Sequence, residues 1–193
     1  MSNRQAPTGK NVQVRTSYHH GDLRRALLDA AREEVATNGA QALTLSSLAR
    51  RAGVAQSAPY RHFADRDDLL VALAMEGFQE FSAALRSAAA AGQDDGSLSR
   101  MAAAYLKFGE RNVELYRLMF ASRLVPDSPA DSKLSKMAKE SYELLLSVVS
   151  GPGGAGSHRS PMAVWAQLHG LVMLKADGFV EQALKRMLKE LAL

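Results

Sequence analysis

The chain contains no cysteine, which removes disulfide frameworks, thiolate metal sites and cysteine nucleophiles at once. It also lacks a long apolar run. Its most apolar stretches are interrupted by His169, Lys175 and Asp177, well short of the ~20 residues a membrane span requires. The first twenty residues are polar, without the apolar stretch of an export signal. H-E-x-x-H, G-x-S-x-G and phosphate-loop patterns are missing too, so an enzyme reading has no residues to stand on. Nothing calls for a cofactor. His19 and His20 near Asp22 have no second ligand cluster, and no metal is expected. Gly151-Pro152-Gly153-Gly154-Ala155-Gly156 satisfies G-x-G-x-x-G in its letters, but a dinucleotide fingerprint needs a preceding strand. Here a helical stretch precedes it and Ser160-Pro161 delays the next helix, which makes it a loop. The expectation is a soluble, cytoplasmic, non-enzymatic protein without membrane contact.

What is present is an ordinary globular composition: 193 residues, 47% hydrophobic and 23% charged. That length suits one large domain or two small ones. The net charge of +4 is unevenly placed. Residues 1–66 hold ten lysines and arginines against five acids, and residues 67–193 hold fourteen against fifteen. All the excess positive charge lies in the first third, as expected for a part that meets a polyanion. A solvated basic face with a disordered tail would give the same count.

Along the chain the apolar spacing is helical nearly everywhere. Residues 1–17 are polar and aperiodic, a flexible basic arm carrying Arg4, Lys10 and Arg15. Leu23, Leu27, Ala30, Ala31 and Val35 predict a first helix, with Asp22 as its N-cap and Asn38-Gly39 as its stop. A short second helix starts at Thr44, with Leu45, Leu48, Ala49 and Ala52 on one face and Gly53 breaking the chain. Residues 56–63 predict a third short helix. Asp65 can cap a long fourth one over residues 66–90. After the loop Gly92-Gln93-Asp94-Asp95-Gly96, further helices are expected over 98–112, around 115–120, and over 132–149, 162–175 and 180–192. Pro126 and Pro129 mark one break. No period-2 strand pattern occurs. The reading is all-α with about nine helices.

Residues 44–63 carry the functional signal. Short helix, glycine turn and short helix make a helix-turn-helix, whose second helix meets base edges in a major groove. Ala49 and Gly53 are small where two helices approach closely. Leu45, Leu48 and Val54 can form the wedge beneath. Gln56, Ser57, Tyr60, Arg61 and His62 face outward; Gln suits adenine and Arg suits guanine or a phosphate. Helical pairs of this shape also occur in proteins that never touch DNA.

Tyr18-His19-His20-Gly21-Asp22-Leu23-Arg24, Leu43-Thr44, Leu48-Ala49, Ala52-Gly53-Val54 and Tyr60-Arg61-His62-Phe63 resemble the tetracycline-repressor-like (TetR) family of regulators continuously over residues 18–75. The resemblance implies a three-helix DNA-binding head over residues 18–66. A long helix would join it to a ligand-binding and dimerising body over residues 67–193. By position, Thr44 would cap the second helix and offer its N-terminus to a phosphate. Gln56, Ser57 and Ala58 would open the recognition helix, Tyr60, Arg61 and His62 would complete its DNA face, and Arg66 would hold a phosphate. Two positions depart from the family pattern: Ala55 stands where a serine cap is common, and Pro59 where leucine is common.

The body resembles a W-x-x-x-H-G subset through Trp165, His169 and Gly170, and through Glu114-Leu115-Tyr116-Arg117-Leu118-Met119-Phe120. The expected effector lining is Met101, Tyr105, Phe108, Tyr116, Met119, Phe120, Trp165, His169 and Met173, although each could equally be core and His169 a satisfied interior histidine. The last two helices, with Leu168, Leu171, Val172, Val180, Leu184, Met187, Leu188 and Leu191, would build a homodimer. The same stripes could pack inside one subunit. The resemblance implies a regulator, a repressor released from double-stranded operator DNA by a small molecule. A helical module whose basic end sits on RNA or membrane is the alternative.

Overall fold

The computed structural model describes residues 20–91, 96–151 and 160–181. Among them all regular structure is helical. Helix α1 spans His20–Asn38, α2 Leu45–Arg51, α3 Arg66–Ala90, α4 Ser97–Arg111, α5 Val113–Phe120, α6 Leu124–Asp127, α7 Lys133–Ser150 and α8 Pro161–Ala176. Short 3-10 turns lie at Ala40–Ala42 and Pro59–Arg61. The expected arm over residues 1–17 and most of the expected helix over 180–192 lie outside the described residues.

The caps explain the local boundaries. Thr44 accepts from the Ser47 backbone N–H at 3.0 Å, while the Thr44 N–H donates back to Ser47 Oγ at 3.4 Å. This reciprocal box satisfies two donors that a helix start would otherwise leave bare, and such a cap contributes about 1 kcal/mol. Asp65 does the same for α3, accepting from the Asp68 N–H at 2.8 Å. Gly53 ends α2 at φ +66°, a left-handed conformation that side chains disfavour. At α1 the outcome differs from the expectation. Residues 20–22 are already helical, so Asp22 lies within α1 and does not precede it.

The third helix of the head is the larger departure. Residues 56–63 form turns around a 3-10 segment at Pro59–Arg61, not an α-helix. Pro59 has no N–H to give to the carbonyl of Ala55. The chain closes with the tighter bonds Arg61 N–H to Ala58 O (3.2 Å) and His62 N–H to Pro59 O (2.9 Å) instead. Phe63 is buried behind this turn and anchors it.

Helix α3 joins the two regions. Its 25 residues span roughly 37 Å at helical rise. One apolar core runs along it from Leu27, Leu48 and Phe63, through Leu69, Leu73 and Phe81, to Tyr105, Leu145 and Leu168. On the outside, Arg25 of α1 pairs with Glu76 of α3 at 2.8 Å, and Arg32 with Glu80 at 2.6 Å. Exposed pairs of this kind add little singly, but these two fix the angle between α1 and α3. In the body, α4 and α7 flank α3, and α8 lies across α4 and α7.

Candidate functional site

The outer face of the head is built from side chains left free by the fold. Gln56, Ser57, Tyr60 and Arg61 are exposed, Tyr60 by 56%. Among the described residues none of their side chains has a hydrogen-bond or ion-pair partner. Ala58 is half-buried and Pro59 is buried beneath the turn. His62 is half-buried, with Nε2 enclosed and without a partner. Arg24 lies over the Phe63 ring at 5.2 Å, close to this face.

The arginines divide by partner. Arg51 is held by Glu33 and Glu34 of α1. Arg25 is raised above its ordinary value by its hydrogen bond to Asp29, whose carboxyl is correspondingly lowered. Arg66, expected on a phosphate, is turned inward. Its Nε donates to Leu43 O at 3.0 Å and its Nη2 to Ala40 O at 2.6 Å, with Nη1 on Asp67 at 3.1 Å. The Ala40 carbonyl also accepts the Leu43 N–H at 3.3 Å, and the guanidinium at the start of α3 adds its own bonds to the carbonyls of Ala40 and Leu43. Arg66 therefore ties α3 to the head.

The body contains a cavity of about 290 Å³. Its wall includes Tyr105, Met119, Phe120 and Trp165, four of the residues expected there. Phe78 and Phe81 of α3, Val125 and Pro126 of α6, Ala138, Ser141, Tyr142 and Leu145 of α7, and Met162 of α8 complete it. The α7 set recurs at i, i+3, i+4 and i+7, so helical phase would have found it. The other five expected residues do not line the cavity. Met101 is core, Phe108 packs on Phe81 at 5.1 Å, and Met173 is packed against the core. Tyr116 and His169 stand one layer behind the wall.

That layer is a polar chain. Tyr105 and Tyr116 share a hydrogen bond between hydroxyls at 2.7 Å, and the Tyr116 hydroxyl meets His169 Nδ1 at 2.7 Å. Burial raises the Tyr105 hydroxyl to about 12, against the lowering effect of Tyr116 and Trp165 beside it. Burial also raises the Tyr116 hydroxyl, assisted by Tyr105. Burial lowers His169, favouring the neutral ring that can accept at Nδ1. Ser82 and Ser141 form a second buried polar contact at 2.8 Å, and Ser141 donates to Met137 O at 2.9 Å. Among the described residues no group of acids and histidines could hold a metal ion, and no helix is long and apolar enough to cross a membrane.

A helix-turn-helix head with exposed polar side chains, on a helical body that holds a partly open apolar cavity, is the layout of a DNA-binding protein with a small-molecule site. Comparison with known proteins agrees. Residues 27–73 match the family described as "Bacterial regulatory proteins, tetR family", and residues 98–191 match "Tetracyclin repressor-like, C-terminal domain". The second match is to a general description, not to the W-x-x-x-H-G subset. The chain is 26% identical over 157 residues to the HTH-type transcriptional activator FasR of Mycolicibacterium smegmatis, covering 81% of this chain and 70% of that one. Among solved structures, a protein of unknown function from Rhodococcus sp. RHA1 superposes with a TM-score of 0.73 at 32% identity, over 86% of this chain and 89% of that one. The TetR-like regulator LfrR from Mycobacterium smegmatis, solved with proflavine, gives 0.59 at 26% identity, over 81% and 85%. The chain belongs to the TetR family. It is a DNA-binding transcriptional regulator and not an enzyme. Regulators of this family bind operator DNA and small molecules, typically as dimers.

Proposed function

We propose that the chain is a dimeric repressor, with a head of residues 18–66 and a body of residues 67–193, released from its operator by a small molecule entering the body. The observation that carries this is the course of α3. Phe78 and Phe81 of this helix stand in the cavity wall, and Arg66 at its start grips the carbonyls of Ala40 and Leu43 in the head. A ligand that moved the two phenylalanines would move that grip. Helix α6 offers a second route. Its Val125 and Pro126 face the cavity, while Leu124 and Asp127 line a groove shared with Ala40 and Gln41. A ligand shifts the population only by its differential affinity for the two states, and couplings of about 1–3 kcal/mol are typical.

On DNA, Gln56, Ser57, Tyr60, Arg61 and His62 would read base edges, and the N-terminus of α2 at Thr44 would meet a phosphate. Two heads would enter grooves about 34–36 Å apart on a pseudo-palindrome. The dimer would form through α8 and the last twelve residues. Support comes from Leu171, Leu174, Phe179 and Val180, large apolar side chains left exposed at the end of the described chain. Light scattering should return a dimer, and Leu171→Glu with Leu174→Glu a monomer.

Selection of bound genomic fragments tests the whole reading. It should return paired half-sites at one helical turn, with affinity falling steeply as salt rises. Placing such a site over a promoter distinguishes repression from activation. Indifference to sequence, with RNA or anionic vesicles bound as tightly as any duplex, would overturn the proposal.

A further inference from the structure

We infer that the cavity selects an uncharged, mostly aromatic or aliphatic molecule of about two fused rings, carrying at most one hydrogen-bonding group, which Tyr142 reads. This deepens the effector reading above and rests on it.

Size comes first. An apolar cavity of about 150 Å³ holds benzene, so about 290 Å³ admits a bicyclic molecule. Charge comes second. Among the described wall residues there is no aspartate, glutamate, lysine, arginine or histidine. An ion placed here would lose its hydration and find no counter-charge, which is the costly case of burial.

Polarity comes third, from an account of the wall protons. Trp165 lies close enough to lower the Tyr105 hydroxyl. Tyr105 can donate to Tyr116, and Tyr116 to His169 Nδ1, each at 2.7 Å. In that arrangement the protons of Tyr105 and Tyr116 are each used once, and the Tyr105 hydroxyl in the wall offers none to a ligand. Ser141 gives its proton to Met137 O. Tyr142 differs. Its ring meets Trp165 edge-on at 6.1 Å, and among the described residues its hydroxyl has no hydrogen-bond partner. Of the three wall hydroxyls, Tyr105, Ser141 and Tyr142, it is therefore the one with its proton left for a ligand.

The test uses the full chain and four probes of one size: naphthalene, 1-naphthol, 1-naphthoate and 1-naphthylmethylammonium, titrated by calorimetry. The neutral pair should bind, and each ion should bind at least about 30-fold more weakly, as unpaired burial requires. Tyr142→Phe should weaken 1-naphthol several-fold and leave naphthalene unchanged. Ala138→Leu, with folding checked by circular dichroism, should narrow the cavity and abolish binding of both. Competition between the neutral pair in the unmodified chain locates them at one site independently of that variant. Ions binding as tightly as the neutral pair would overturn the assigned class, while the release reading would survive if they freed operator DNA. The neutral pair binding without any effect on operator affinity would uphold the class and overturn the release reading. Failure of all four to bind would overturn the inference.

Discussion

The head and the body are made of the same material and work in opposite ways. In the head, four of the side chains expected to act, Gln56, Ser57, Tyr60 and Arg61, stand exposed with no hydrogen-bond or ion-pair partner among the described residues. In the body, the polar groups are consumed internally, through Tyr105, Tyr116, His169 and the Ser82–Ser141 contact, and what remains available is apolar space. A polymer with fixed edges is read by exposed groups. A small molecule is read by a volume that excludes water. The two regions nevertheless share one core along α3, so they should be distinct in function and continuous in stability.

The largest expected effect tests that continuity. Leu48 is fully buried in the head, and Leu48→Ala should destabilise by about 2–5 kcal/mol through lost transfer energy and a residual void. Calorimetry should show one unfolding transition moved to lower temperature. Two transitions, with only the first displaced, would mean that the core is not shared. Arg61→Ala should do the reverse, weakening operator binding by about 1–3 kcal/mol for each half-site with the melting temperature unchanged. Equal loss on operator and random duplex would reassign Arg61 from bases to phosphates.

A third substitution addresses the body alone. A Cβ on Gly109 would stand 2.5 Å from Val172 Cγ1, so α4 and α8 approach at this point only because the side chain is absent. Gly109→Ala should cost about 1–3 kcal/mol by overpacking, despite the better helix propensity of alanine. It should also disturb the cavity, because Tyr105 on α4 and Trp165 on α8 are both wall residues. An unchanged melting temperature with unchanged probe binding would show that the two helices separate freely.

How much of this was legible in the sequence follows from the same contrast. Helices α2 and α3 were readable because their starts are chemical signals, Thr44 and Asp65, and both caps form as expected. The recognition segment was readable in position but not in form. Pro59 was noticed as a departure, yet its consequence, a 3-10 turn in place of an α-helix, depends on whether Phe63 is buried behind it. Arg66 was expected on a phosphate, and its bonds to Ala40 and Leu43 were not legible because a sequence does not show that those carbonyls fold back within its reach. The cavity was half legible. Tyr105, Met119, Phe120 and Trp165 are apolar and aromatic, as a wall demands, but so are Met101 and Phe108, which are core. A void is a property of how helices cross, and no single residue encodes it. The α7 wall escaped because Ala138 and Ser141 are small, and small residues signal nothing until a space opens beside them.

The smallest effect separates the two regions by pH. Burial holds His169 below its ordinary value of 6.5, while in the unfolded chain the ring titrates near that value. Below about pH 6.5 the unfolded state therefore binds the proton more readily than the folded one. Stability contributed by the neutral buried ring is complete above pH 6.5 and declines as pH falls from there towards the folded value. The ring is partly exposed, so solvent screens the effect and the slope should be shallow. Melting temperatures at about pH 7.5 and about pH 5.5 should differ more in the natural chain than in His169→Gln, where the amide can still take the Tyr116 hydroxyl but does not titrate. Nothing in the relay touches the head, so operator affinity should be equally pH-dependent in both chains wherever they stay folded. An equal thermal loss in the two would place the acid sensitivity elsewhere. A difference in operator affinity, conversely, would mean that the relay reaches the DNA face through α3.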